Sequence, residues 1–249
     1  MTQRPPLPVA CALVAALGLT ACGSAPATPR PARASTVALP QHTQPIQMPV
    51  PAGGPLSDPQ AIRAAVAAAY GRAPGLEATI ETYDKGPRGQ ETNLIKLVFR
   101  KPQSVRVQMV KATGVSQGAR ILWTGTETLR IKPTFLPMAV EKRIDDEQAV
   151  SKNGWTIRHT GVHALFKVLL DPAAQVRHAG SLMVDGRPTE ALEVRSSESP
   201  AGITHEVIAI DPARQLPVVR AIYRGQQLLY RATLKQLTVR AVSQGELSL

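Results

Sequence analysis

Three short patterns in this chain carry residue types able to do chemistry. Gly114-Val-Ser-Gln-Gly118 has the Gly-x-Ser-x-Gly spacing of a nucleophile elbow, where a serine sits on a sharp turn from a strand into a helix. Here the next segment, Ala119-Arg-Ile-Leu-Trp123, alternates like a strand, so a hairpin loop suits Ser116 better than acyl transfer. His159 and His163 stand four apart, a spacing that can place two metal ligands on one helix face. Gly161 lies between them, His159 precedes the expected helix cap, and no Glu completes an HExxH pattern. Asp145-Asp146-Glu147 is an acidic turn without the spaced ligands of a calcium loop. No glycine-rich phosphate loop occurs. The expectation is therefore a protein that is not an enzyme, with no metal and no cofactor.

A fourth pattern centres on a cysteine. One positive charge, Arg4, precedes an uncharged apolar run from about Leu7 to Leu19, the length of a signal-peptide core rather than a transmembrane span. The run ends in Leu19-Thr20-Ala21-Cys22-Gly23, a lipobox: a branched apolar residue, two small residues, then Cys. Residues 1–21 are expected to be removed and Cys22 to carry acyl chains, which anchor at about 0.8 kcal/mol per buried CH₂. Cys11 leaves with the leader, so the mature chain has no second thiol for a disulfide. Gly23, not Asp, follows Cys22, which favours the outer membrane in a cell that has two.

The formal charge of +11 falls to +10 once Arg4 is lost. For an exported protein this basicity points to anionic lipid headgroups rather than nucleic acid. Residues 22–55 hold eight prolines and no apolar periodicity, and read as a polyproline-like tether spanning roughly 100 Å when fully extended. Residues 56–249 then form one domain.

Within that domain Ser57 or Asp58 can cap a helix over Ala61–Tyr70, with Pro59 in its first turn and Gly71 as its stop. Period-2 alternation follows over Ala78–Tyr83, Thr92–Arg100, Ser104–Val110, Ala119–Thr124, Thr128–Lys132 and Met138–Ile144. Val162, Leu165, Phe166, Leu169 and Leu170 mark one face of a second helix, capped by Thr160 and ended by Asp171-Pro172. Asp185-Gly186 is a hairpin turn between Ser181–Val184 and Thr189–Arg195. Strands Thr204–Ile210, Val218–Tyr223 and Leu228–Val239 complete the chain. The short Lys101-Pro102-Gln103 turn should pair Phe99 with Val105 and Leu97 with Val107. About ten or eleven antiparallel strands and about two helices make a mainly β, α+β fold whose sheet must curl.

From about Ala61 to Leu237 the chain resembles the lipoprotein-carrier superfamily of LolA and LolB. Two blocks carry the resemblance: Leu97-Val-Phe-Arg-Lys-Pro-Gln-Ser-Val-Arg-Val107 with Ile121–Pro133, and Ile210-Asp-Pro-Ala-Arg-Gln-Leu-Pro217 with Arg220, Tyr223 and Gly225. The resemblance implies an incomplete, strongly curved antiparallel β-barrel, with the helices as a lid over an apolar cavity that takes acyl chains. It implies that Lys101, where the LolA pattern has Arg, latches lid to barrel. It also implies that Val115, on the loop after the third strand, contacts the membrane.

The expected function is thus a lipid-anchored envelope protein, facing the periplasm or cell exterior, that binds the acyl chains of a lipid or lipoprotein. Its ligand-binding candidates are Ile95, Leu97, Phe99, Val105, Val107, Met109, Ile121 and Trp123. The alternative is a non-catalytic interaction or sensor module of the same fold that docks a protein partner in the envelope.

Overall fold

A computed structural model describes residues 58–112 and 116–249. The expected leader, Cys22, the tether and Val115 lie outside the described residues. Eleven strands form a single antiparallel sheet: β1 (Gly75–Gly86), β2 (Gly89–Arg100), β3 (Ser104–Lys111), β4 (Arg120–Trp123), β5 (Thr128–Lys132), β6 (Val140–Arg143), β7 (Gln175–Val184), β8 (Arg187–Arg195), β9 (His205–Asp211), β10 (Leu216–Arg224) and β11 (Gln227–Val239). Their order is β6-β5-β4-β3-β2-β1-β11-β10-β9-β8-β7. Among the described residues β6 and β7 are therefore the edges, and the sheet curls without closing. So many twisted strands cannot lie flat, and bulges at Glu77/Thr79, Leu94/Ile95 and Pro217/Val219 add local bend. The β2–β3 hairpin pairs Phe99 with Val105 and Leu97 with Val107, the register expected. Asp185 and Gly186, both at positive φ, turn β7 into β8.

Helix α1 (Pro59–Arg72) starts where expected, with Asp58 accepting from the Gln60 amide. It does not stop at Gly71. It runs on to Arg72, and Ala73 turns extended because Pro74 excludes the helical region for the residue before it. The second helix is two. Thr156, not Thr160, opens α2 (Ile157–Thr160) in a capping box with His159, and Thr160 is its last residue. Extended backbone at Gly161 interrupts the helix, and α3 (Val162–Leu170) follows. The sixth strand is shorter than expected, since Met138 lies exposed before it.

The core lies on the concave face. Val66 of α1 and Val162, Leu165, Phe166, Val168 and Leu169 of α3 pack on inward residues of most strands. Arg63 of α1 donates to the carbonyls of Leu169 and Asp171, answering the open C-terminus of α3. Among the described residues, the buried members of the core clusters run from Val66 to Leu247, within the compact unit Gln44–Leu249, and Ile62 packs against them.

Candidate functional site: an apolar hollow under a strap and lid

The inner faces of β1 to β5 and β11 are not filled by the helices. They enclose a cavity of about 220 Å³. Ile80, Ile95, Leu97, Val105, Val107, Met109, Ile121, Leu129 and Ile131 form its walls, while Trp155, Ile157, Val162 and Leu165 roof it. Alternation explains the walls, because each strand turns every second side chain inward. Close-packed interiors hold few voids larger than a water molecule, which takes about 30 Å³ of liquid. This hollow is several times that size, and its walls are mainly aliphatic, with Thr82, Asp84, Glu91, Asn93 and Arg220 also lining it.

Six of the eight expected binding residues line this space: Ile95, Leu97, Val105, Val107, Met109 and Ile121. Phe99 and Trp123 do not. Both are fully buried in the packed core, with Trp123 Nε1 donating to the Thr126 carbonyl and its ring 4.7 Å from that of His163. They point inward as the alternation required, but the hollow ends before reaching them.

Residues 145–156 form a strap across the mouth. Asp84, buried at the end of β1, accepts from the Lys152 amide and from Asn153 Nδ2 at 2.5 and 2.8 Å. Lys152 pairs with Glu91 and Arg88 with Glu147. Gly86 lets the strap lie close, since a methyl group there would collide with the Lys152 carbonyl. Burial pushes the Asp84 carboxyl up, opposed by the two donors from the strap.

Beneath the lid, Arg220 of β10 and Glu206 of β9 form a bidentate pair, 2.7 and 2.9 Å, with 2% and 0% of each side chain exposed. Arg220 Nη1 donates to the His159 carbonyl of α2, and Ser199 donates to Glu206. The pair fixes α2 over the hollow, and Arg220 itself reaches the cavity wall. Sequence reasoning missed this role, although a signal existed. Glu206 is in phase with Ile208 and Ile210, and Arg220 with Val218 and Ile222, so each strand carries one charge of opposite sign on its apolar face.

Lys101 lies at the β2–β3 turn and reaches α1. Its Nζ donates to the Tyr70 and Gly71 carbonyls and stands 4.3 Å from the Tyr70 ring centroid. Tyr70 stacks on Phe166 of α3 at 3.9 Å. A cation there complements the negative end of the helix, and one side chain links hairpin, α1 and α3. If Lys101 acts as a latch, Lys101→Ala costs about 1–2 kcal/mol and speeds exchange of a bound fluorescent fatty acid severalfold in stopped flow. Unchanged melting together with unchanged exchange would remove the latch.

The other patterns disperse. Ser116 is exposed and leads through a turn into β4, a strand where an elbow requires a helix. His159 caps α2 while His163 lies on α3, and among the described residues no group of three His, Cys, Asp or Glu can hold a metal. Asp145 pairs with Arg143 and Asp146 with Lys142. His163 has another consequence. Its Nδ1 is buried without a partner, and burial, aided by the Arg220 charge, lowers its pKa to about 4. The fold thus prefers neutral His163. That stability is complete above the unfolded value near 6.5 and drains as pH falls towards 4. Discounting for partial solvent access, wild type loses about 2 kcal/mol more than His163→Leu between pH 7 and 4.5 in urea unfolding. Parallel losses would show that His163 does not titrate this way.

This geometry defines a class: the open half-barrel, an antiparallel sheet curled round an apolar hollow beneath helices. No protein-family model matches the sequence, and no curated protein sequence matches it. Solved structures similar to it in fold include a DUF1329 family protein from Desulfovibrio piger, with 10% identity over 77% of this chain and 98% of that one, TM-score 0.45. The Mycobacterium tuberculosis lipoprotein LppX is 13% identical over 74% of this chain and 100% of that one, TM-score 0.44. A LolA superfamily protein from Nitrosomonas europaea is 8% identical over 78% and 98%, TM-score 0.38. Likeness at this level concerns the chain trace alone.

Proposed function

We propose that this chain is a lipid-anchored envelope protein that takes acyl chains of a lipid or lipoprotein into the half-barrel. The hollow itself carries the reading. Its walls are mainly aliphatic, with Asp84, Glu91, Asn93 and Arg220 at the polar margin, and an apolar cavity of about 150 Å³ already binds small hydrocarbons. At about 220 Å³ it is smaller than the roughly 300–1,000 Å³ typical of ligand pockets. It therefore holds part of a chain as it stands, and a longer chain enters by displacing the strap. Hydrogen bonds and ion pairs hold the strap near Asp84 and Glu91, while Trp155 and Ala149 pack on the core, so the movable part of the cover is the stretch between residues 145 and 153. Titrating the untethered domain with a fluorescent fatty acid, and mass spectrometry of lipids it releases, test the reading; an empty domain that binds no probe would end it.

The anchor is the Cys22 lipobox, and the outer membrane is favoured in a two-membrane cell. With Cys22→Ser, metabolic labelling with a fatty acid falls to background and the leader stays uncleaved. Label retained on the variant would sink the anchor assignment.

A further inference from the structure

The outer surface of β2 to β5 carries charge that the hollow does not use. Residues alternating with the cavity walls face away from it. Lys96, Gln108, Arg120 and Lys132 are successive cross-strand partners in one row. Val98, Arg106, Leu122 and Arg130 form the next row, about 7 Å along the strands. Val98 and Leu122 pack with Val242 and Leu247 of the C-terminal tail, which leaves the cations as the open part of this face. Lys96, Arg106, Arg120, Arg130 and Lys132 make no ion pair among the described residues. Glu141 of β6 is in register with Arg130, yet the two are not bridged. Arg120 and Lys132 stand directly opposite each other, where like charges oppose folding. Folding alone gives no reason for this arrangement.

A second observation adjoins it. The loop 133–139 leaves the end of β5 just past Lys132 and exposes Phe135 at 70% and Met138 at 68%. Thr134 donates to the Gln117 carbonyl at 2.8 Å, so the loop is tied to the neighbouring turn at the same rim. Large apolar side chains held in water beside a field of cations match one environment: a charged plane with hydrocarbon beneath it.

We infer that this corner of the barrel docks on an anionic phospholipid bilayer. Lys96, Arg106, Arg120, Arg130 and Lys132 meet the headgroups, and Phe135 and Met138 enter the interface, where aromatic and apolar side chains partition. An acidic protein surface would use the cations, but it offers no apolar layer for the two exposed tips. The consequence is orientation. The same strands carry Val107, Met109, Ile121 and Ile131 on their inner faces, so docking sets the wall of the hollow about one sheet layer, roughly 10 Å, from the membrane. A tether alone would leave that distance free.

The test uses the compact unit Gln44–Leu249, its cooperative melting checked first, and co-sedimentation with vesicles of phosphatidylcholine alone or mixed with phosphatidylglycerol. Wild type is expected to bind the mixed vesicles, to bind neutral ones far more weakly, and to be released by salt. Arg120→Gln with Lys132→Gln should weaken binding roughly tenfold or more. Phe135→Ser with Met138→Ser should weaken it severalfold. Melting no lower than wild type in either pair confirms that the fold is kept, since Phe135 and Met138 are exposed and Arg120 and Lys132 half-exposed. Equal binding to neutral vesicles, or wild-type binding by either pair, overturns the inference. So does absence of vesicle binding, whether or not the chain forms a dimer that the cation substitutions abolish.

Discussion

Arg220→Ala is expected to lower the stability of the domain by about 3–5 kcal/mol, the usual cost of leaving one partner of a buried ion pair alone. Glu206 is wholly buried, and its remaining donor would be Ser199. Removing Arg220 also strips the His159 carbonyl of its donor, so α2 loses one of its ties and keeps those of Arg158 to Glu127 and of Tyr230 to the Thr160 carbonyl. For a domain of this size the melting temperature should fall by about 10 °C. Arg220→Met with Glu206→Leu removes both charges and should recover most of the loss, because the pair's attraction only offsets its desolvation. A single substitution costing less than about 1 kcal/mol would mean that water reaches Glu206 and that the pair is not buried in solution. Chemical denaturation of the three proteins separates these outcomes. Because Arg220 supplies one of the ties of α2, the double variant should remain stable yet exchange a bound fatty-acid probe faster than wild type.

The second large effect is on binding. Val107→Trp places two fused rings where the wall of the hollow now has a short aliphatic side chain. The cavity of about 220 Å³ can house them, so stability should change by less than about 1.5 kcal/mol, while fatty-acid probe binding falls tenfold or more. Phe99→Ala supplies the contrast. Phe99 is fully buried in close-packed surroundings, so truncation should cost about 3–5 kcal/mol. Val107→Ala opens space beside a vacancy that exists already and should cost much less. Unfolding of Val107→Trp, or a cost for Val107→Ala as large as that for Phe99→Ala, would show that this face is ordinary core. The lipid reading would then lose its physical basis.

These two residues also separate what was legible in the sequence from what was not. Alternation put Phe99 and Val107 on the same inward face, and the short turn at Lys101 set their register, because side chains repeat every two residues and a tight turn leaves little freedom of pairing. The Asp58 cap and the Asp185-Gly186 turn were readable for the same reason, being local choices of backbone angle. The split of the second helix was less so. Thr156 and Thr160 are both competent caps, and Gly161 decides between one helix and two only when α3 packs on the sheet.

By itself, then, the sequence determined a curled antiparallel sheet with inward aliphatic rows, a basic composition and a Leu-Thr-Ala-Cys pattern ending at Cys22. Those depend on residue type and short spacing alone. Tertiary structure decided where the inward rows stop being core and become the wall of a hollow. That boundary depends on how far α3 and the strap reach across the sheet, a distance set by contacts remote in sequence such as Asp84 with Lys152 and Arg63 with Leu169. It also decided that Glu206 and Arg220, each an isolated charge on an apolar strand face, meet beneath α2. A pairing across two strands and a lid is fixed by their packing, and no local period records it.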